Sequence, residues 1–283
     1  MSSLEGTVTL TAALACLVAP LSAHAQTTPP EPASEAWVDP AAPHDLKGGG
    51  WHFELAPYFW LAAMDGSVTK DNVTADIDQS LGDVASLLDD YFNGGLALHF
   101  EARHDRWGFI ADGMYLKLQA DGEHPVTHEP ITADYDQFLG EIDGFYRVVD
   151  TASHPSPTWA PTLDVLAGVR VYSFETTLDP EVNKTVTGKQ TWIDPILGLR
   201  GQVKPTQWLA LFGRGDIGGF GLDDGTFSNF SWNVLAGLEF EFADWFALSI
   251  GYRWLDVDYK NTGDNFDYDM LVSGPFTALV FRF

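Results

Sequence analysis

The chain has one cysteine in 283 residues, Cys16, and only fifteen Lys plus Arg against forty Asp plus Glu, a formal charge of -25. A lone cysteine excludes a disulfide scaffold and a thiol pair. The shortage of basic residues excludes DNA and RNA as partners, because phosphate contacts require a cationic footprint. Long apolar runs are missing as well. The longest, from Leu10 to Leu21, is shorter than the ~20 residues a spanning helix needs. From Trp51 onward the pattern contains no amphipathic helix longer than about two turns. What remains is a chain with 45% hydrophobic residues, too many for disorder.

Residues 7–26, "TVTLTAALACLVAPLSAHAQ", carry no charge and end their apolar stretch at Ala23-His24-Ala25. This reads as a signal peptide, residues 1–25, cleaved after Ala25. Its leading "MSSLEG" holds Glu5 and neither Lys nor Arg. Cleavage there removes Cys16 and leaves a mature chain without thiols. Residues 26–50 are rich in Pro, Ala and Gly and lack a hydrophobic period, so they read as a flexible lead-in. Residues 51–283 form the folded unit.

Within that unit the alternation of apolar and polar side chains predicts ten strands, at 51–63, 92–103, 107–119, 133–148, 161–174, 188–203, 208–219, 227–242, 245–257 and 268–283. Each spans about 12 to 16 residues, whereas globular strands cluster near 5 to 6 and a tilted membrane strand needs about 9 to 11. One face of these strands is free of charge, for example Leu96, Leu98 and Phe100, then Trp232, Val234, Ala236 and Leu238. The other face carries carboxylates and arginines. Alternation alone does not separate a membrane barrel from a soluble sandwich, since either buries one face and wets the other.

The connections do separate them. After every second strand the link is mostly short ("HDR", "KPTQ", "AD"), while the alternate links run longer, to nearly thirty residues between Ala63 and Tyr91. That sorting matches an outer-membrane barrel, with short periplasmic turns and long extracellular loops. Trp51, Trp107, Trp159, Trp208 and Trp245 each stand at or just before the start of an odd-numbered strand. They form one interfacial girdle, because an indole ring is apolar while its N–H stays wet. Phe92, Tyr135, Trp192, Phe230 and Tyr268 are expected to supply the opposite rim.

The chain stops on "FTALVFRF", in which Leu279, Phe281 and Phe283 share one face. With "WIDPILGLRG", "RGDIGGFG" and "GYRWLDVDY", this ending resembles the small outer-membrane β-barrel proteins of Gram-negative bacteria, broadly of the OmpA-type and porin-like kind. The resemblance covers residues 51–283. It implies an all-β fold, a single antiparallel transmembrane β-barrel of about ten strands (eight or twelve as alternatives), in the cell outer membrane. It further implies that Leu279, Phe281 and Phe283 form the signal read by the barrel assembly machinery, and that outer-membrane lipid and lipopolysaccharide are neighbours.

Glu54, Glu101, Asp112, Glu141, Asp143, Asp164, Asp194, Asp216, Glu239 and Glu241 are expected to point into the lumen with Arg103, Arg147, Arg170, Arg200, Arg214, Arg253 and Arg282. A ten-stranded lumen is narrow, so these groups are expected to interlock as ion pairs. Two readings stay open, a structural polar core and a narrow cation-preferring path. Of the eight histidines, His52 and His99 fall on the inner face, where they read as hydrogen-bonding groups of the lumen. No catalytic set is legible, so the expected role is non-enzymatic: structural, surface-interacting or a narrow pore. The alternative is an outer-membrane hydrolase, an omptin-like protease or lipid A deacylase. The acidic stretch with Asp256, Asp258, Asp264, Asp267 and Asp269 reads as a solvated loop, since Lys260 stands where a calcium-loop ligand would be expected. No metal or cofactor is therefore expected. "SLGDVASLLDD", with Ser80 and Asp83 in capping-box spacing, predicts a short helix with Leu81, Val84 and Leu88 on one face, lying over the mouth as a partial plug or packed on the loop's own residues.

Overall fold

The computed structural model describes residues 50–71, 73–123, 130–151, 161–180 and 186–283. The expected signal peptide, nearly all of the lead-in, and Trp159 lie outside them. Ten strands close a barrel: β1 (Trp51–Trp60), β4 (Phe92–His104), β5 (Trp107–Glu123), β6 (Pro130–Asp150), β7 (Thr162–Pro180), β8 (Val186–Val203), β9 (Leu209–Gly218), β10 (Phe230–Ala243), β11 (Phe246–Asn261) and β12 (Phe266–Arg282). Each pairs antiparallel with its neighbour, and β12 returns to β1, with Glu54 opposite Arg282 and Trp60 opposite Phe276. Phe283 completes the seam, exchanging backbone hydrogen bonds with Phe53 at 2.9 and 3.1 Å.

The segment read as one long loop holds three more elements. β2 (Ala63–Lys70) and β3 (Val73–Gln79) form a hairpin that pairs with the upper part of β12. Helix α1 (Leu81–Tyr91) follows, with 11 residues, longer than the two turns that the pattern suggested. Its start is the expected capping box. The Asp83 N–H donates to Ser80 Oγ at 3.3 Å, while Asp83 Oδ2 accepts from the Ser80 N–H at 3.0 Å. Val84 is fully buried, with Leu87 and Leu88 packed beside it. The Ser80 hydroxyl, donating to Asp83 Oδ2 at 2.6 Å, and the Ser80 N–H together hold the Asp83 carboxyl below its ordinary value of 3.8. A lowered folded value means that this cap is complete above the ordinary pKa and is lost as the pH falls through the lowered one. Ser80→Ala should loosen α1 locally by about 1 kcal/mol, read as faster amide exchange in its first turn with the barrel strands unchanged.

The outer wall is apolar where lipid would touch it. Leu96, Ile142, Leu197 and Leu199 are all more than half exposed, with Val169, Val234, Ile250 and Leu279 near two-fifths. The strands outrun that belt. β6 has 21 residues, about 70 Å of chain at ~3.3 Å per residue, against a hydrocarbon layer of ~30 Å. Above the belt the two faces exchange character. On β11, Phe246, Leu248, Ile250, Tyr252 and Trp254 point outward, followed on the same side by Asp256, Asp258 and Lys260. The inner side changes the other way, from Ser249 and Arg253 to Leu255, Val257 and Tyr259, all three nearly inaccessible. Lipid demands apolar-out below, and water demands polar-out above. The extracellular end therefore encloses an ordinary hydrophobic core, built from β1, β4, β5, β6, β7, β8, β11, β12, the β2–β3 hairpin and α1.

This core overturns the expected second girdle. Trp192 and Tyr268 are 2% and 7% exposed. They meet inside the barrel with tilted rings 5.5 Å apart, and Trp192 stacks on Tyr259 at 4.1 Å. Tyr135 and Phe92 pack against the same core, and Phe230 alone of the five stays well exposed. Their position near strand starts reflected strand ends that stand in water, so burial went inward. The other rim keeps its tryptophans outside. Trp51, Trp107, Trp208 and Trp245 are 56–68% exposed.

Candidate functional site

The charged lumen lies below the apolar core in two tiers. In the lower tier Arg282 reaches Glu239 at 2.6 Å, Glu54 at 3.1 Å and Glu241 at 3.3 Å, and Lys204 also contacts Glu241. Arg200 bridges Glu101 and Asp164, the latter at 2.7 Å, and lies over the Phe145 ring. Asp164 takes Arg147 at 2.8 Å as well. In the upper tier Arg170, with no exposed surface, spans Glu141 at 2.6 Å and Asp216 at 2.7 Å. Arg214 shares Glu141 and reaches Asp143 and Asp216, both at 3.0 Å.

Space for this packing comes from small residues. A Cβ at Gly168 would lie 2.1 Å from Asp143 Oδ1, and one at Gly198 2.6 Å from the Asp216 Cβ. Glycine at these inward positions lets a neighbouring carboxylate lie against the wall. In the upper tier Arg170 and Arg214 stand against Glu141, Asp143 and Asp216.

Three predicted members of the ion-pair set do something else. Arg253 donates to Asn233 Oδ1 at 2.8 Å and lies over the Trp60 ring. Arg103 sits at the periplasmic end, donating to the Asp105 carbonyl at 3.2 Å. Asp194 accepts from the Ser228 N–H and the Ser231 hydroxyl, both at 2.8 Å. Charge and parity placed all three on the inner face, but partner choice depends on height along the lumen. Asp112 accepts from the Tyr58 hydroxyl at 2.9 Å and lies 3.1 Å from His99 Nδ1. His52 lies exposed at the start of β1. At the rim, Ser67, Thr69, Asn229, Asp258, Lys260, Asp267 and Asp269 border a cavity of about 280 Å³. Lys260 pairs with Asp267 there at 2.8 Å. Among the described residues no cluster of three metal-ligating side chains occurs.

A closed antiparallel wall with apolar side chains outside and paired charges inside fits a membrane that is crossed by strands. The chain is an outer-membrane β-barrel. No protein-family model and no curated protein matches it. Among solved structures it is similar to Ail, the attachment invasion locus protein of Yersinia pestis, solved with the heparin analogue sucrose octasulfate. The two are 13% identical over 83% of this chain and 100% of that one, at a TM-score of 0.34. Neisserial surface protein A is 15% identical over 82% and 97%, at 0.29. The translocator domain of NalP from Neisseria meningitidis is 10% identical over 86% and 92%, at 0.39. At such identities the likeness is one of fold.

Proposed function

We propose that this barrel is non-enzymatic and plugged, and that it serves the outer membrane as a structural or surface-interaction protein through its extracellular cap. The observation that carries this reading is Arg170, buried in mid-lumen between Glu141 and Asp216. An ion crossing that level has to break a buried pair, which leaves an uncompensated charge. The cap supplies the acting surface, with Asp65, Asp76, Asp78, Asp258 and Asp269 on its outer faces. Lipopolysaccharide, bridged by divalent ions, is the proposed neighbour of these carboxylates. Leu279, Phe281 and Phe283, pointing to lipid at the periplasmic end, are the proposed signal to the barrel assembly machinery. Planar-bilayer recording on the full refolded chain should show no steady single-channel current. A steady cation-selective current would favour the narrow-pore reading instead, and turnover of peptide or lipid A on incubation would favour a hydrolase.

A further inference from the structure

The extracellular wall changes character on one side. β9 ends at Gly218, opposite Ile196 of β8 and Ser231 of β10, while β8 continues upward to Val186 and β11 to Asn261. Residues 219–229 fill the interval. The Gly225 N–H donates to the Lys260 carbonyl at 3.1 Å and the Asn229 N–H to the Asp258 carbonyl at 2.8 Å, so the segment lies where β11 has turned its polar side to water. Its own outer side stays apolar. Phe220, Leu222 and Phe230 are 38%, 65% and 44% exposed, with Ile217 at 45% below them. Phe230 stands opposite Asp258, and Trp232 has Ile217 on one side and Asp256 on the other. Trp192, Tyr259 and Tyr268 turn into the core at this end of the barrel, but Phe220, Leu222 and Phe230 belong to no core cluster among the described residues. Apolar side chains grouped on a water-facing surface above the lipid belt mark an interaction site.

The backbone holds this group in place under strain. Gly219, Phe220 and Gly221 run through the left-handed region, with φ of 79°, 64° and 57°, a conformation that a bulky residue such as Phe220 avoids. The Gly219 N–H donates to the Pro195 carbonyl at 3.2 Å and the Gly221 N–H to the Ser228 carbonyl at 3.0 Å. A Cβ at Gly219 would lie 2.5 Å from that same Ser228 oxygen. Ser228 is itself fixed, its N–H donating to Asp194 at 2.8 Å and its hydroxyl accepting from Trp192 at 3.0 Å. The strained residue is one whose ring stays outside, so the strain serves no packing in the core. A knob fixed in this way loses little freedom on binding.

Carboxylates stand on two sides of the knob. Asp223 and Asp224 follow Leu222 in the chain, and Asp256 and Asp258 point outward from β11. Three of the four have neutral partners: the Thr226 hydroxyl donates to Asp223 at 2.8 Å, the Thr262 N–H to Asp224 at 3.2 Å and Asn229 Nδ2 to Asp258 at 3.0 Å. Lys260, two positions beyond Asp258, is held by Asp267 at 2.8 Å. A second copy of the chain would bring the same carboxylates against these, which like-charge repulsion opposes. We propose that Phe220, Leu222 and Phe230 form a docking surface for a protein segment of complementary character, with apolar side chains set between lysines or arginines. The inference rests on the reading of the cap as the acting surface and names the chemistry of its partner.

The probe is a short fluorescein-labelled peptide of alternating Lys and Leu, titrated by anisotropy against the full chain in phosphatidylcholine nanodiscs, with empty nanodiscs as the blank. It should bind above the blank, release as NaCl is raised, and bind about tenfold or more weakly to the variant carrying Phe220→Gly and Leu222→Ser. Glycine accepts a φ of 64° without strain, so Phe220→Gly alone should keep or raise the urea midpoint while weakening the peptide, which separates docking from folding. Peptides alternating Glu with Leu, or Lys with Ser, should stay at the blank. Equal affinity of the wild type and the double variant, or no binding to the wild type above the blank, would overturn the docking surface. The conductance and turnover measurements that test the cap reading are separate from this titration, so the two can fail independently. A second measurement asks what covers the knob: Leu222→Cys, made together with Cys16→Ser and labelled with bimane, should be quenched by acrylamide in water and spared by a doxyl-labelled lipid. Quenching by the lipid would place the knob in the membrane and overturn the proposal.

Discussion

Arg170→Ala should destabilise the barrel by about 3–5 kcal/mol, because Glu141 and Asp216 would then face each other in the lumen without their shared cation. The pair sits at 2.6 and 2.7 Å from the guanidinium, and Arg214 cannot neutralise both while it also holds Asp143. A urea midpoint measured on refolded protein reads this directly. Adding Glu141→Gln and Asp216→Asn to Arg170→Ala should recover most of the loss, since the penalty lies in the stranded charges more than in the missing contact. If the single variant keeps its midpoint, the tier is solvated and the lumen is not plugged. The same variant should gain measurable conductance, because the blocking side chain has gone.

Placing arginine on the lipid face tests the belt. Val169→Arg should cost about 2–4 kcal/mol, since a charge near the bilayer midplane must leave water. Ser173→Arg, two alternations higher on the same face of β7, should cost about 0–1 kcal/mol, because that site lies near the interface. Ser173 is only partly buried and shares a 2.9 Å hydroxyl contact with Thr191, so little packing is disturbed. Equal costs at the two sites would mean that the apolar belt ends elsewhere than between Val171 and Ser173.

Part of the architecture can be read from the sequence because strand side chains alternate locally. Parity along "FTALVFRF" is enough to send Leu279, Phe281 and Phe283 outward and Arg282 inward, with no knowledge of a neighbour. The Ser80–Asp83 spacing likewise sets a helix start by a contact three residues long. The exchange of faces on β11 is also legible, in "RWLDVDYK", where the apolar parity slips after Trp254. Nearness to a strand start does not fix the side on which Trp192 and Tyr268 lie, because the strands run on past the lipid belt, where apolar rings turn inward.

Partner choice is different. Arg200 reaches Glu101 across 99 positions of chain, and Arg170 reaches Asp216 across 46. Such contacts depend on the shear and closure of the whole barrel, which set the height of each strand against those across the lumen. The sequence by itself determined the inner and outer faces of the membrane strands and the charge each face carries, since these follow from a period of two, while closure at ten strands, with eight and twelve left open, was decided by the pairing of β12 with β1. Only the tertiary structure decided that Asp194 holds a loop instead of an arginine, that β9 stops short of its neighbours, and that the cap encloses a core. These outcomes turn on where each strand sits against the others, and the alternation pattern is the same whatever the register across the lumen.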